Sequence, residues 1–453
     1  MTARQKRLVL VLSLAIALTR FAAVAASFFD WDEALFVSGV RAYDVGLHHP
    51  HPPGFPLFIA PAKLLHALGV EEFRALQALV VIGACLLFPA LVLLARELGF
   101  DFATAAGGAA IFVFLPNVWL YGGTAFSDVP AMALTFFACA LLLRGRRDGR
   151  AYLLGAVVLG LAAGMRTPSL LIGAVPALLA TVHRLRARQY GTVLAAILAG
   201  AAIVATSYFG AALASTGVAD FLQSLRGQSK YMREIDSWRN PDRMPLSEAA
   251  TMFFLHPVQH RDVLNGLVIV GGLSLVSALV TRRAAAWLTF ALFAPLAIVA
   301  WLNFDVATAG RYAVSYMAVH ALLAADGARV LFRRTPAQAV FCGLVVALLA
   351  VILWPSLHEQ RTMVAPPVAA LRFAADRVPR EQPLYVHGSM RPHGEVLLPA
   401  REVRYFVDEA TVPAGAWVVH KEARPGATTF VRERRRTWKV IRRRNFEAAV
   451  YRK

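Results

Sequence analysis

Acidic and imidazole side chains crowd into one short stretch near the start of the chain. Four carboxylates and three histidines fall between positions 30 and 51, namely Asp30, Asp32, Glu33, Asp44, His48, His49 and His51. A carboxylate in such a cluster can take a proton from an attacking hydroxyl or hold a divalent cation, and an imidazole can bind phosphate or metal. The acids could also simply begin a helix, since the helix dipole favours negative charge there. The sequence leaves both roles open.

A second candidate acid, Asp128, stands in the segment Thr124-Ala125-Phe126-Ser127-Asp128-Val129-Pro130. It lies at the end of an apolar stretch that has no other acid, which makes it a candidate for chemistry. Capping the next helix, with Pro130 in the first turn, is an alternative that does not exclude a functional role.

The spacing of the histidines matches no closed zinc site, so a zinc centre is not expected.

Arginines and lysines follow in segments that hydropathy places on the same side of the chain's apolar runs. They are Arg166, Arg226, Lys230, Arg233, Arg239, Arg243 and Arg311. The guanidinium fork matches phosphate oxygens, and a buried phosphate needs such compensation. Each cation alone could be solvated at a surface. As a set that converges with the acids, they indicate a site for an anionic headgroup whose lipid tail lies between helices.

The composition is that of a membrane protein. Of 453 residues, 58% are hydrophobic and 17% are charged, and the mean hydropathy is +0.54, which is typical of a polytopic membrane chain. The net charge of +19 lies largely in short loops, where it sets orientation, so nucleic acid is not an expected partner. Cys85, Cys139 and Cys342 lie in apolar segments, so neither a disulfide framework nor a cysteine metal site is predicted.

Hydropathy predicts an all-α bundle of about eleven transmembrane helices. The first covers 8–29, after a basic N-terminus, with a cleaved signal peptide ending near Ala23-Val24-Ala25 as the alternative. Arg20 inside it is either functional or snorkels to the headgroups. The other spans are predicted at 73–95, 104–121, 129–143, 151–165, 169–182, 191–213, 262–281, 285–302, 312–332 and 337–355.

The segment 53–69 decides the topology. It is apolar but contains three prolines, Lys63 and His66, so we interpret it as interfacial or re-entrant. The arginine clusters after the spans then lie in the cytoplasm, as the positive-inside bias requires. We therefore expect a multi-pass protein of the plasma or inner membrane with a cytoplasmic N-terminus. The acids, histidines and arginines described above then share the extracytoplasmic face.

The chain after position 355 has the patterning of a small soluble α/β domain. A helix is predicted at 368–378 and strands at 383–387, 403–407, 416–420, 428–431, 438–441 and 448–451. Twelve lysines and arginines against three acids between 421 and 453 are either solvated strand faces or a contact for anionic headgroups or a polyanionic wall polymer. The expected domains are 1–355 in the membrane, with a first extracytoplasmic loop at 29–69, and 356–453 outside it.

The order of these motifs resembles the GT-C fold glycosyltransferases that use polyprenyl-phosphate sugars. The branch it resembles includes protein O-mannosyltransferases and lipid A aminoarabinose transferases, glycosyltransferase families 39 and 83. The resemblance rests on Asp32-Glu33 after the first helix, His51-Pro52-Pro53 before the second span, Ser127-Asp128 before the fourth, Arg311-Tyr312 late in the bundle, and the soluble tail. It covers the membrane half well and the tail loosely.

The resemblance implies a role for each of these residues. Asp32 is the acceptor-activating base or its orienter with Glu33 beside it, and Asp128 is a second acid that places the acceptor or a metal. His51, Arg166 and Arg311 stand near the donor phosphate. Aminoarabinose transferases carry Glu-Lys before Pro-Pro where this chain has Pro50-His51. This departure bears on both the metal ligand at that point and the donor sugar.

The expected function is inverting transfer of a sugar from a polyprenyl-phosphate donor to an acceptor hydroxyl on a lipid, a protein or an envelope glycan. No cofactor is required by this scheme, although Mg²⁺ or Mn²⁺ held by Asp32 and Asp128 is compatible with it. A transporter or flippase of lipid-linked sugars is the alternative, and a noncatalytic scaffold in wall assembly is a third. The charges gather at one face without internal repeats, which favours the enzyme over the transporter.

Overall fold

Most of the chain is helical. The computed structural model describes residues 1–424, 426–440 and 446–453. The α-helices are α1 (Ala3–Arg20), α2 (Trp31–Arg41), α3 (Pro56–Ala67), α4 (Glu72–Leu98), α5 (Phe102–Phe114), α6 (Pro116–Tyr121), α7 (Asp128–Arg144), α8 (Gly149–Met165), α9 (Ser169–Arg186), α10 (Tyr190–Ala214), α11 (Val218–Tyr231), α12 (Leu246–Ala250), α13 (Arg261–Thr281), α14 (Ala284–Asn303), α15 (Ala309–Tyr312), α16 (Ala318–Phe332), α17 (Thr335–Thr362), α18 (Pro366–Arg377), α19 (Arg391–Leu397) and α20 (Arg436–Val440).

The protein is a multi-pass membrane protein. Within the described residues, six helical segments are long and apolar enough to cross a bilayer: Glu72–Leu98, Ser169–Arg186, Tyr190–Ala214, Arg261–Thr281, Ala284–Asn303 and Thr335–Arg377. Helices also occur in the other expected segments, but they are shorter or, like α1, more charged. The helical fold is therefore confirmed, while the count of eleven spans stays a prediction.

The first helix ends nine residues earlier than its hydropathy predicted. Arg20 closes α1, and a short 3₁₀ turn at Phe21–Ala23 leads into a loop instead of helix up to position 29. The Arg20 side chain is fully buried, donates to the Val113 carbonyl at 2.7 Å, and lies over the rings of Phe114 and Trp119 at 5.0 and 4.8 Å. The Arg20 side chain therefore does not extend to the lipid headgroups and does not lie in the candidate site, because its partners belong to α5 and α6.

Two interruptions in the bundle bring the site loops together. Pro116 begins α6 directly after Leu115, because proline lacks the amide that would continue α5. The segment 53–69 forms the 12-residue helix α3, which packs against α2, α4 and α8. At the centre, α4 meets α7 so closely that a Cβ on Gly83 would overlap Pro130. This contact fixes the start of α7, where Asp128 lies.

The C-terminal part is a five-stranded sheet covered by helices. The strands β1 (Leu384–His387), β2 (Val403–Phe406), β3 (Trp417–His420), β4 (Thr429–Arg432) and β5 (Glu447–Arg452) are ordered β2-β1-β3-β5-β4. The β1 strand is parallel to β2 and β3, whereas β5 is antiparallel to β3 and β4. Five of the six predicted strands are confirmed. The strand expected at 438–441 is wrong for its described part, which belongs to helix α20, and position 441 lies outside the described residues.

The C-terminal part holds the loop after α1 and the helix α2. Helix α17 runs past position 355 to Thr362, so the expected boundary at 355/356 lies inside it. The Ala365 amide then donates to Ser27 Oγ at 2.9 Å. From the other end of α2, Arg41 donates to the Val396 carbonyl at 3.1 Å. These contacts anchor both ends of the segment that carries Asp32.

Candidate active site

Helix α2 begins with a capping box. Asp30 Oδ1 accepts from the Asp32 amide at 3.1 Å, and Glu33 Oε2 accepts from the Phe29 and Asp30 amides at 2.9 and 3.2 Å. Glu33 Oε1 accepts from the Ala125 amide at 2.8 Å, so this buried carboxylate also ties α2 to the loop before α7. Burial raises the pKa of Glu33 to about 7 against the effect of the amide hydrogen bonds.

Asp32 points away from its neighbour, because successive helix residues are rotated by about 100°. Its Oδ2 accepts from Arg311 Nη1 at 2.5 Å, and its Oδ1 lies 3.8 Å from His51 Nδ1. The side chain is 27% exposed, so it reaches an open space while remaining paired. Asp32 therefore has the access that a group acting on a substrate needs, and Glu33 does not.

Arg311 lies between two carboxylates. In addition to Asp32, its Nε donates to Asp128 Oδ2 at 3.1 Å, and its guanidinium carbon lies 4.0 Å from the centre of the Phe126 ring. Only 5% of the side chain is exposed. Guanidinium stacking on an aromatic face leaves its edge free for oxygen partners.

Asp128 is not the cap of its helix. Ser127 holds the N-cap position, and the Asp128 carboxylate instead accepts from Arg166 Nη2 at 2.9 Å through Oδ1. Arg166 Nη1 donates to Ser127 Oγ at 3.2 Å. An unbroken ion-pair chain results, Asp32–Arg311–Asp128–Arg166.

His51 joins this chain at the Asp32 end. Its ring packs against Phe36 and Phe55, with ring centres 5.4 and 4.9 Å away. Burial lowers the pKa of His51, Arg311 and Arg166 lower it further, and Asp32 opposes them. For Asp32, burial would raise the pKa, but His51, Arg311 and Arg166 outweigh it and lower the pKa to about 2. Asp32 is therefore ionised and a weak base as long as Arg311 is paired with it.

A cavity of about 500 Å³ opens in front of these groups and is called the basic cavity here. Asp32, His51, Arg166 and Arg311 line it, and α11 and the chain after it supply Gln228, Arg233, Trp238 and Arg239. The structure thus brings together four of the six candidate site residues at one surface. Asp128 does not line the cavity, but it contacts Arg166 and Arg311, which do. Glu33 faces backbone amides.

Sequence reasoning assigned no function to some residues of this site. Phe126 supports Arg311, Ser127 binds Arg166, and Trp238 completes the far wall. The aromatic residue two positions before Asp128 could have indicated a partner for a cation. No sequence pattern indicated Trp238. Among the other basic candidates, Arg243 donates to the Trp301 and Phe304 carbonyls at 2.6 and 3.1 Å, and Arg226 and Lys230 are exposed.

A second cavity, of about 770 Å³, lies on the opposite side of the first turn of α2 and is called the acidic cavity. Among the described residues, its wall carries Asp30, Asp236, Asp242 and Asp305 with one guanidinium, that of Arg243. The C-terminal part closes it with Ser389, His393 and Phe446, and Trp31 and Tyr231 add aromatic surface. Burial and the nearby Asp305 raise the pKa of Asp236 to about 6, although Arg243 opposes them.

The two carboxylates proposed as metal ligands do not fit a shared Mg²⁺ or Mn²⁺ in this arrangement. Arg311 holds an oxygen of both Asp32 and Asp128, so its positive charge stands where a bridging cation would be. Within the described residues, no group of three or more His, Cys, Asp or Glu side chains could hold a metal ion. The site is organised around guanidinium groups.

Solved structures with the same fold cover nearly the whole chain. ArnT from Cupriavidus metallidurans in the apo state has a TM-score of 0.58 and 14% identity, covering 97% of this chain and 97% of that chain. ArnT bound to undecaprenyl phosphate has a TM-score of 0.50 and 15% identity, covering 99% and 98%. AglB oligosaccharyltransferase from Archaeoglobus fulgidus, in complex with an inhibitory peptide and a dolichol-phosphate, has a TM-score of 0.53 and 12% identity, covering 89% of this chain and 65% of that chain.

These similarities confirm the expected GT-C fold. No protein-family model matches the sequence. The curated proteins contain no match either.

Proposed function

We propose that the protein is a membrane glycosyltransferase that moves a sugar from a polyprenyl-phosphate donor to an acceptor hydroxyl. The observation that carries this proposal is the ion-pair chain Asp32–Arg311–Asp128–Arg166 on the wall of the basic cavity. It combines a partly exposed carboxylate with the buried guanidinium of Arg311 and the half-buried one of Arg166, which are the groups that attack on a phosphate-activated sugar requires. Lipid phosphates are bound by the ArnT and AglB structures of the same fold.

The donor phosphate would lie against Arg311, Arg166 and His51. Asp128 holds Arg311 and Arg166 in place, and their remaining N–H groups can donate to phosphate oxygens. Arg233 and Arg239 face them from the other wall of the cavity. The polyprenyl chain would leave this cavity along the apolar surface of the neighbouring spans.

Donor binding would also change Asp32. A phosphate oxygen competes with Asp32 for Arg311, and when Arg311 turns to the phosphate its lowering effect on the pKa of Asp32 is reduced. The carboxylate then becomes a better acceptor for the proton of an incoming hydroxyl. We infer that Asp32 does not act as a base until the donor is bound.

The transfer itself is a single displacement. The acceptor oxygen forms a bond to the anomeric carbon of the donor sugar while the bond between that carbon and the phosphate oxygen breaks. The hydroxyl proton passes to Asp32, and the electron pair leaves with the polyprenyl phosphate, whose charge Arg311 and Arg166 stabilise. Attack opposite the leaving group inverts the configuration at the anomeric carbon.

Glu33 and Asp128 act by positioning in this scheme. Glu33 fixes the spacing between α2 and the loop that carries Phe126, because its carboxylate binds amides of both. Asp128 orients both phosphate-binding arginines. The donor sugar, hexose or pentose, is not assigned by these contacts.

The membrane topology completes the proposal. The positive-inside bias supports a cytoplasmic N-terminus and places the two cavities at the extracytoplasmic face of the plasma or inner membrane. Residues 356–453 would then form an extracytoplasmic domain above the site. The acceptor would be a lipid, a protein or an envelope glycan, and the surrounding membrane lipids would be the other partners.

The proposal is tested with the purified full chain in lipid nanodiscs, supplied with undecaprenyl-phosphate sugars and envelope extracts as acceptors. We expect a glycosylated product and free undecaprenyl phosphate in equal amounts, measured by mass spectrometry. A vesicle assay without acceptor is run in parallel. Translocation of the sugar headgroup with no product in the first assay would replace the transferase by a flippase.

A further inference from the structure

The acidic cavity and the basic cavity share three segments of chain. On α2, Trp31 faces the acidic cavity and Asp32 the basic one. Asn303 and Phe304 likewise line the basic cavity, while Asp305 lines the acidic one. The turn after α11 does the same with Arg233 and Asp236. A molecule in the acidic cavity would therefore contact Trp31, the residue that directly precedes the proposed base in the chain.

The charge of the acidic cavity excludes the ligand class that the basic cavity favours. Within the part of the chain that the structure describes, four aspartates line it against the guanidinium of Arg243, which already donates to the carbonyls of Trp301 and Phe304. Burial and the charge of Asp305 together raise the pKa of Asp236, against the effect of Arg243. A phosphate placed here would add to that repulsion, and like charges brought together at a binding surface oppose association.

Other groups in the acidic cavity suit a sugar. Its volume of about 770 Å³ is that of a small-molecule site. Trp31 and Tyr231 are 42% and 53% exposed, so their rings can cover the apolar face of a pyranose. Carboxylates accept hydrogen bonds from hydroxyls, and charge strengthens those bonds.

A buried histidine points to a hydroxyl-bearing ligand independently of the acids. His393 on α19 is 3% exposed and lines the acidic cavity. Neither ring nitrogen has a hydrogen-bond partner of normal length and angle among the described residues, although the ring interacts with the Phe29 backbone. Burial lowers the pKa of His393 to about 4, so the ring is neutral, and the nitrogen that does not interact with Phe29 is available to a ligand hydroxyl.

We propose that the acidic cavity binds the acceptor, and that this acceptor is an uncharged glycan rather than a phosphate-bearing one. The inference rests on the proposed transferase function and adds the acceptor class to it. A glycan held by Asp236, Asp305, Trp31 and His393 presents a hydroxyl to Asp32 around the first turn of α2. The soluble part contributes to acceptor recognition through α19.

The test measures binding of radiolabelled trisaccharides to the full chain in nanodiscs by equilibrium dialysis. Maltotriose, mannotriose and cellotriose are the neutral probes, maltose 1-phosphate is the anionic probe, and a serine- and threonine-rich peptide represents a protein acceptor. Detergents with maltoside heads are left out because they carry the same sugar. Undecaprenyl phosphate binding is measured on the same samples.

We expect at least one neutral trisaccharide to bind, with maltose 1-phosphate at least tenfold weaker. D236N and D305N should each weaken trisaccharide binding about tenfold, since each removes a charged hydrogen-bond acceptor. E234Q is the matched control, because Glu234 is exposed on the same turn as Asp236. It should bind as the wild type does, and all three variants should retain undecaprenyl phosphate binding, which shows that they are folded.

Three results would overturn the inference: binding of no neutral trisaccharide, equal or tighter binding of maltose 1-phosphate or of the peptide, or D236N and D305N matching E234Q. A failure of the proposed function would give a different result, because undecaprenyl phosphate would then not bind to the wild type at all.

Discussion

The basic cavity and the acidic cavity are separated by the same segments of chain, but their charges are arranged in opposite ways. In the basic cavity the carboxylate of Asp32 is balanced by Arg311, and the arginines in turn are held by Asp128. In the acidic cavity four aspartates stand against Arg243, and burial together with the charge of Asp305 raises the pKa of Asp236 although Arg243 opposes them. A site whose carboxylates are paired with arginines can bind a charged ligand. A site with an excess of carboxylates is better suited to a ligand that donates hydrogen bonds.

This difference teaches how one wall can separate two substrates. Adjacent residues on a tightly turning backbone point in different directions, so Trp31 and Asp32, or Phe304 and Asp305, serve different cavities. Under the proposed assignment, the donor and the acceptor are sorted by charge before either reaches Asp32. Substitutions on the two sides should consequently have separable effects.

The largest effect is expected from removing the central guanidinium. R311Q leaves the partly exposed Asp32 and the buried Asp128 without the guanidinium they share and removes the main stabiliser of the leaving phosphate. We expect transfer to fall by about 10³-fold, measured as initial rate with saturating acceptor. R311K should recover a part of the loss, since it restores the charge without the fork. A rate for R311Q within a few-fold of the wild type would break the account of the basic cavity.

The next largest effect is expected at the residue behind the arginines. D128N keeps the size of the side chain but weakens its hold on Arg166 and Arg311, so the donor meets a less ordered pair. We expect kcat/KM for the donor to fall by about 10²-fold, a loss comparable to breaking a buried ion pair. The KM for the acceptor should not change. A selective rise in acceptor KM would instead assign Asp128 to the acceptor, as the sequence resemblance first implied.

A smaller and opposite pair of effects should separate the two cavities. R239Q on the basic side should raise the donor KM about fivefold with little change for the acceptor, and D242N on the acidic side should do the reverse. Both side chains belong to the same exposed segment after α11, so each variant is the control for the other. Equal effects of both variants on both substrates would mean that the cavities are one site.

The smallest effect is a pH dependence of stability that belongs to Glu33. Its pKa is raised from the ordinary 4.5 to about 7, so the folded state binds the proton more tightly than the unfolded chain. The stabilisation from protonated Glu33 is present below about pH 4.5 and is lost as pH rises through about 7. The midpoint of thermal unfolding of the wild type minus that of E33Q should therefore decrease over this range. A difference that is constant with pH would show that Glu33 does not titrate there.

Much of the fold could be predicted because its patterns are local. Alternating apolar residues located β1 to β5 within one or two positions, and long apolar runs located the helices. The strand at 438–441 was wrong because a five-residue basic segment has no helical period long enough to read, and α20 is fixed by contacts with α17. The end of α1 depends on Arg20 meeting Phe114 and Trp119, about ninety residues away, which no local pattern contains.

The candidate site was predictable in its members but not in its pairing. Hydropathy put Asp32, His51, Arg166 and Arg311 on one face, and the structure joins them. The ion pair of Asp32 with Arg311 spans 279 positions and could not be read from sequence. The role of Glu33 had a local signal, since Asp30 three residues before it forms the capping-box pattern. The acidic cavity had none, because its aspartates come from three separate segments.

The most direct test of the central claim is D32N. If Asp32 takes or orients the acceptor proton, the variant should bind undecaprenyl phosphate within a few-fold of the wild type, because Arg311 is still held by Asp128, and transfer should fall by at least about 10³-fold. Donor binding and single-turnover transfer are measured on the same nanodisc preparation. Full transfer by a folded D32N protein would contradict the account.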